Sequence, residues 1–321
     1  MDRRQALSLV QKATVDRAVA AGGMLSPEQS AAFIQTIKDK AVLSSKMRLE
    51  RRRAETGELN KLTSGGRLIR AAAENADDGY RAEVQFPTVE YATKKLRLPW
   101  EVTEDVFHEN IEEQAVEAKI TDEMTQQFAL DWEDLDVNGD ESQTGDDFIG
   151  INDGILKILE DNLAASHRID ATAYGDASGN IHKEHFFAAI KAMPNKFVNA
   201  GNLAFLGSPV QSISWVEYLT ERNTAAGDAA LFGGGQANRP LNIEFIPVPA
   251  FPDDRLVLTS PSNLVRVVTW EVRKGKVTGE TDWELLTRDK RGYIYFVKPD
   301  VIVEELDAAV DVYGLTVAGT S

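Results

Sequence analysis

The stretch from Asn110 to Gly139 constrains the fold more than any other part of the chain. Apolar residues stand at Val116, Ile120, Met124, Phe128, Trp132 and Leu135, at steps of four and finally three, the spacing that keeps side chains on one flank of an α-helix. Asn110 can cap this helix and Glu113 can return the hydrogen bond. Glu112, Glu113, Glu117, Asp122 and Glu123 crowd its early turns, where the helix dipole favours acids. Asn138-Gly139 supplies a left-handed stop. The pattern predicts a helix of about 25 residues, about 37 Å long at ~1.5 Å per residue.

What precedes this helix is poor in core-forming residues. Residues 1–45 read as helical, with Leu7, Val10, Thr14, Val15 and Val19 on one face and a break at Ala21-Gly22-Gly23. Ser26 can cap a second helix, with Pro27 at its first position and Phe33, Ile37 and Ala41 on its apolar face. From Lys46 to about Tyr91 the apolar residues (Met47, Leu49, Leu59, Leu62, Leu68, Ile69) are too sparse for an independent core. Strands are expected near Gly66–Ala72 and Arg81–Val89, flanking an Asp78-Gly79 turn signal. The result is a long polar hairpin arm, which gains little by folding alone and needs a surface to lie on. Lys94–Val102 alternates polar and apolar residues as a half-buried strand does.

Beyond the long helix, helices are expected at Lys183–Met193, before Pro194, and at Ser212–Arg222, with Gly233-Gly234-Gly235 as a loop. After Pro240 the pattern turns to strands, at Leu241–Val248, Arg255–Thr259, Leu264–Glu271, Tyr293–Val297 and Val301–Glu305. Helices and strands interleave without a βαβ period, which predicts an α+β fold.

Composition removes whole function classes. The 321 residues fit one large domain or two of ordinary size. Cysteine is absent, excluding disulfides, thiolate metal sites and cysteine nucleophiles. No run approaches the roughly 18–20 apolar residues of a membrane span, and MDRRQALSLV has no apolar core for a secretory signal. With 35 basic and 51 acidic residues the formal charge is −16, against a surface devoted wholly to nucleic acid but compatible with a local basic patch. Nucleophile elbows, phosphate-binding glycine loops and dinucleotide fingerprints are missing, so no enzyme is expected.

Three clusters carry candidate chemistry. Asp134, Asp136, Asn138 and Asp140 follow the every-second-residue oxygen spacing of the first half of a calcium loop around Gly139. The second half departs, with Glu141 in place of an aliphatic and Gly145 in place of the bidentate glutamate, leaving Asp146 and Asp147 as substitute ligands. The bland alternative is a helix end with a polar loop. His182 and His185 around Glu184 have too few ligands for zinc and read as partly exposed residues at a helix start. Lys46, Arg48, Arg51, Arg52 and Arg53 form the main basic cluster, open to three readings: DNA phosphates, an acidic face of a neighbouring copy, or plain solvation.

The order of elements, together with Leu96-Arg-Leu-Pro-Trp100-Glu-Val-Thr103-Glu-Asp-Val106 before the long helix, Asn138-Gly139-Asp140 through Phe148-Ile149-Gly150-Ile151 after it, and Arg291-Gly-Tyr293-Ile-Tyr295-Phe-Val-Lys-Pro-Asp300-Val301, resembles tailed-bacteriophage major capsid proteins of the Hong Kong 97-like fold. The resemblance covers about residues 25–321. It implies an N-terminal arm (1–45), an extended hairpin loop (52–92), a peripheral domain with the long spine helix (93–149 and 262–308) and an axial domain (150–261 and 309–321). It further implies self-assembly into hexamers and pentamers of an icosahedral shell around double-stranded DNA held non-specifically. A separate scaffolding protein, a portal and decoration proteins are the implied partners, with no cofactor, and the place is the virion capsid, assembled in the bacterial host cytoplasm. Some relatives crosslink a hairpin lysine, but Lys61 has no partner identifiable from sequence. An encapsulin-like nanocompartment shell is the rival of the same fold, and a calcium-dependent binding module the rival of another class.

Overall fold

The computed structural model describes residues 34–38, 40–61, 63–64, 84–108, 113–175, 179–198, 202–220, 239–269, 273–277 and 289–317. Residues 34–38 are helical, and a short helix α1 (Val42–Lys46) leads into strand β1 (Arg48–Arg52). A hairpin follows, with β2 (Thr56–Asn60) and β3 (Thr63–Ser64) outbound and β4 (Val84–Gln85) and β5 (Thr88–Ala92) returning. Strand β6 (Leu96–Thr103) and a turn of helix, α2 (Glu104–His108), precede the long helix α3 (Glu113–Asn138), which has 26 residues. Then come α4 (Ile155–Asn162), β7 (Arg168–Asp170), α5 (Lys183–Ala192), α6 (Asn195–Val198), β8 (Ala204–Gly207) and α7 (Pro209–Thr220). The final part holds β9 (Glu244–Pro247), β10 (Arg255–Thr259), β11 (Leu264–Thr269), β12 (Arg273–Val277), β13 (Lys290–Val297), β14 (Pro299–Val303) and β15 (Ala309–Tyr313). The architecture is α+β, as expected.

Three sheets organise these elements. One has the order β7-β15-β10-β8-β9, with parallel outer pairs and an antiparallel centre. Its inward side chains, with Phe186 and Trp215 from α5 and α7, build one core. A second sheet, β1-β11-β14, pairs β1 parallel to β11 and β11 antiparallel to β14. The third, β12-β13-β6, is antiparallel and places Tyr295 and Val297 beneath α3, in a core with Ile34, Ile37, Ala41, Phe128 and Trp132. A further core of Leu43, Met47, Val137, Ile155, Leu159, Val257, Leu264 and Val301 ties the five-stranded sheet to the end of α3.

Helix α3 ends at Asn138 as its sequence predicts, but its buried face is not the predicted stripe. Successive steps of four residues advance the azimuth by about 40°, because a turn holds 3.6 residues. The stripe from Val116 to Trp132 therefore winds around the helix. Phe128, Trp132 and Leu135 are buried, whereas Val116, Ile120 and Met124 are half-exposed and Thr121 and Thr125 take the inner face beside them. Thr125 Oγ donates to the Thr121 carbonyl at 2.7 Å, satisfying the hydroxyl inside. Asn110, the expected cap, lies outside the described residues.

Other expectations stand in the same mixed way. Strand β10 and helix α5 fall at the predicted places, and β6 alternates buried and exposed positions. Helix α7 begins at Pro209, three residues before the predicted Ser212, because proline suits a first helical position. The hairpin is rooted earlier than predicted, at Thr56–Asn60 paired with Thr88–Ala92. Most of the predicted strands at Gly66–Ala72 and Arg81–Val89, the Asp78-Gly79 turn, residues 1–33 and the Gly233–Gly235 loop lie outside the described residues. Strands β1, β8 and β15 were not predicted. Arg48–Arg52 carries three arginines, Ala204–Gly207 is short and wholly buried, and Ala309–Tyr313 has Asp311 at its centre. None of these shows the alternation that marks a strand in sequence.

Candidate functional site

For a chain with no catalytic motif, the surfaces and fastenings of its projecting parts are the site to build. The hairpin root is the first. Leu59, Val89 and Tyr91 pack on Val265, Val267 and Ile302 of β11 and β14, forming a small core separate from the others. The Tyr91 ring lies over Gly57, where a Cβ would come within 2.8 Å of the phenol oxygen, so glycine leaves the space the ring occupies. Polar fastenings surround it. The Ala92 N–H donates to Asp300 Oδ2 at 2.8 Å, Thr93 Oγ to the Glu55 carbonyl at 2.9 Å, and Lys298 pairs with Glu55. Lys298 holds the Glu55 carboxyl below its usual range. Lys61 Nζ donates to the Glu304 carbonyl at 2.9 Å and meets Glu305 at 3.3 Å, so this hairpin lysine is engaged within its own chain.

The N-terminal segment is the second fastening. Ile34, Ile37 and Ala41 enter the core under α3, and Lys40 Nζ pairs with Asp122 at 2.6 Å. Deeper, Ser44 Oγ accepts from Arg266 Nη2 at 2.6 Å, while Glu133 Oε2 accepts the Ser44 N–H at 3.0 Å. Arg266 Nε donates to Asp136 Oδ2 at 2.5 Å, and the guanidinium lies 4.4 Å over the Trp132 ring. Sequence reading missed this cluster. Its signal was Arg266, a lone charge inside the apolar run Leu264-Val-Arg-Val-Val-Thr269, which must find a buried partner.

The basic cluster divides. Lys46 pairs with Glu244 at 2.6 Å and Arg48 with Glu304 at 2.7 Å, so both charges are matched inside the chain. Arg51 and Arg52 are half-buried in β1, and burial lowers the Arg51 guanidinium from its ordinary value. Arg53 is exposed. The parallel pairing of β1 with β11 thus places Arg48, Arg51 and Arg52 on one half-buried strand, with Lys46 and Arg53 flanking it.

The calcium reading meets a different geometry. Asp134, Asp136 and Asn138 all lie in α3, where a two-residue step rotates by about 200° and sends Asp136 inward to Arg266. Asn138 Nδ2 instead donates to Asp134 Oδ1 at 2.7 Å and to the Ala250 carbonyl at 2.6 Å. Asp140 accepts from Ser142, and Asp146 from the N–H groups of Phe148 and Ile149; these bonds lower both carboxyls. The segment is a helix end followed by a polar turn, and these aspartates accept hydrogen bonds from their own chain. Among the described residues no group of His, Asp or Glu is arranged to hold a metal ion.

His185 also differs from expectation, being buried rather than partly exposed. Its Nδ1 accepts the His182 N–H at 2.9 Å at the start of α5, which requires the neutral ring with the proton on Nε2, facing the Ala171 carbonyl at 3.0 Å. Burial lowers its pKa. It is a helix-start fastening.

With this geometry in view, comparison with known proteins becomes specific. No protein-family model matches the chain. A Bacillus subtilis (strain 168) prophage protein assigned as a capsid protein, YqbE, is 29% identical over 258 residues, spanning 76% of this chain and 79% of the relative. Among solved structures, a chain of the satellite phage P4 procapsid superposes with a TM-score of 0.69 at 13% identity, covering 100% of both chains. The capsid of a native GTA particle gives 0.59 at 12% identity over 86% of this chain and 91% of the other. The SrpI encapsulin of Synechococcus elongatus PCC 7942 gives 0.55 at 11% identity over 97% of each. The chain thus has the Hong Kong 97-like fold of phage capsid structures, and in sequence it resembles a prophage capsid protein.

Proposed function

We propose that the chain is a major capsid protein that assembles with its own copies into hexamers and pentamers of an icosahedral shell around double-stranded DNA. The observation that carries this reading is the end-to-end match in fold to the P4 procapsid chain, joined to sequence similarity with a prophage protein over three quarters of the chain. The separate cores support the division into parts. In this reading the Trp132 core and the sheet β12-β13-β6 belong to a peripheral domain at 93–149 and 262–308, and the five-stranded sheet to an axial domain at 150–261 and 309–321. Residues 1–45 and 52–92 are then the arm and the extended loop. The role is structural, acting through many modest interfaces repeated over the shell. The acidic surplus suits a wall that must not grip its DNA tightly. A scaffolding protein, a portal and decoration proteins are the further partners of this reading, and the host cytoplasm its place of assembly.

The fold likeness to the SrpI encapsulin favours a second reading, a shell around cargo protein. Negative-stain electron microscopy with nuclease treatment separates the two. Particles from cells expressing the chain with its neighbouring genes should be closed, uniform and hold nuclease-protected double-stranded DNA. Shells with protein cargo and no nucleic acid would favour the compartment. A monomer under the same conditions would end both readings.

A further inference from the structure

The buried cluster at the seat of the N-terminal segment carries a charge imbalance that the shell reading does not use. Ser44, Glu133, Asp136 and Arg266 are each at most 3% exposed and come from three elements: the segment before β1, helix α3 and strand β11. One guanidinium faces two carboxylates. Ser44 bridges them, accepting from Arg266 Nη2 and donating to Glu133 Oε2 at 3.3 Å, while Asp136 Oδ1 has no hydrogen-bond partner. The other charge bearing on Asp136 is Asp300 of β14, also an acid. With both carboxylates ionised the site would hold a net negative charge away from water, a state that a low-dielectric interior strongly disfavours. One proton neutralises it.

We infer that this cluster is a proton-coupled latch: seating segment 34–46 on α3 takes up one proton from solvent, and releasing the segment returns it. Ser44 belongs to the segment itself, so its departure removes the bridging hydroxyl and admits water to the acids. The apolar anchors Ile34, Ile37 and Ala41 set the strength of the seat without any dependence on pH. In support, burial chiefly, with Glu133 and Asp300 adding and Arg266 opposing, pushes the Asp136 carboxyl up to about 6 from an ordinary 3.8. The seated form therefore binds the proton more tightly than the released form. The latch tightens as pH falls toward 5 and loosens as pH rises through 6.

The test is amide hydrogen exchange of the full chain, followed in residues 34–46 at pH 5.0 and pH 7.5 and corrected for intrinsic exchange rates. The opening constant should be about ten-fold larger at the higher pH, the ratio for one acid raised to about 6 when seated and returning to the ordinary carboxylate range once water is admitted. Asp136→Asn removes the titrating group and should flatten this dependence. Glu133→Gln removes one of the smaller contributions and should weaken the dependence without abolishing it, so a graded response across the two variants keeps the test sound if either folds poorly. A cluster with a merely structural role would lose protection in the variants while the ratio between the two pH values stayed the same. That outcome, or no pH dependence in the unmodified chain, overturns the inference.

Discussion

Tyr91→Ala tests whether the hairpin is a unit held at its root or an extension of the main core. The ring is 6% exposed and packs on Gly57, Leu59, Val265, Val267 and Ile302. Removing a buried aromatic side chain costs about 3–5 kcal/mol in a rigid core. Here one wall is a two-stranded ribbon that can settle into the space, so the lower end, about 3 kcal/mol, applies. The ion pairs at the root are weak by comparison. The Lys61–Glu305 pair is part-exposed and contributes about 0–1 kcal/mol, and in the Lys298–Glu55 pair the carboxylate stands in solvent, which screens it. The Ala92–Asp300 bond adds one hydrogen bond to a carboxylate, ~1.5–3 kcal/mol. A loss of about 3 kcal/mol corresponds to roughly a hundred-fold larger local opening constant at ~1.4 kcal/mol per decade. Amide exchange in Thr56–Asn60 and Thr88–Ala92 should accelerate by about that factor, while exchange in the α3 turns around Trp132 stays unchanged and shell yield falls. Tyr91→Phe should behave almost as the unmodified chain, since it keeps the ring. If exchange around Trp132 rises by the same factor as the hairpin, the root is not a separate unit; if the root does not respond, the ring does not hold it.

Two further outcomes follow from buried charges in the five-stranded sheet and its flanking helix. Arg255 pairs with the fully buried Asp311 at 2.7 Å, and Arg168 stands farther off at 3.7 Å, so Arg255→Met should lower unfolding stability by about 3–5 kcal/mol in a denaturant titration. A change below about 1 kcal/mol would mean that Arg168 alone satisfies Asp311. His185 must be neutral to accept the His182 N–H, and burial lowers its pKa from 6.5, so an unfolded ring binds a proton before the folded one does. Its contribution is fully present above about pH 6.5 and is lost as pH falls below it, opposite in sign to the Asp136 latch. The opening constant in α5, from exchange corrected for intrinsic rates, should therefore rise between pH 7 and pH 5, and His185→Gln should remove that dependence; an equal opening constant at both values would contradict the assigned ring state.

How much of this was legible in the sequence depended on how local the deciding interaction was. The ends of β10 and the extent of α5 follow from alternation, a proline stop and capping geometry, all within a few residues. The stop of α3 at Asn138-Gly139 is of the same kind. The stripe of α3 was read too simply, because steps of four drift around a helix and only the neighbouring strands decide which arc is covered. Thr121 and Thr125, polar in sequence, are buried because Tyr295 and the sheet beneath them lie on that arc. The calcium spacing competed with the helix pattern for the same residues: Asp134–Asn138 is helix, and a helix sends alternate oxygens to opposite sides.

The sequence by itself determined the α+β character, the long helix, the absence of thiol chemistry and of any run apolar enough for a membrane-spanning helix, and two segments too poor in apolar residues to stand alone. Tertiary structure decided where those segments rest and which charges are buried. Arg48–Arg52 became a strand because β11 offered a parallel edge, and Lys46 and Arg48, read as candidates for DNA or a neighbouring copy, met Glu244 and Glu304 of their own chain. Arg266 and Asp136 lie 130 positions apart, so no spacing rule could join them. A charge becomes structural only when the fold removes its water and supplies its partner, and both depend on contacts distant in sequence.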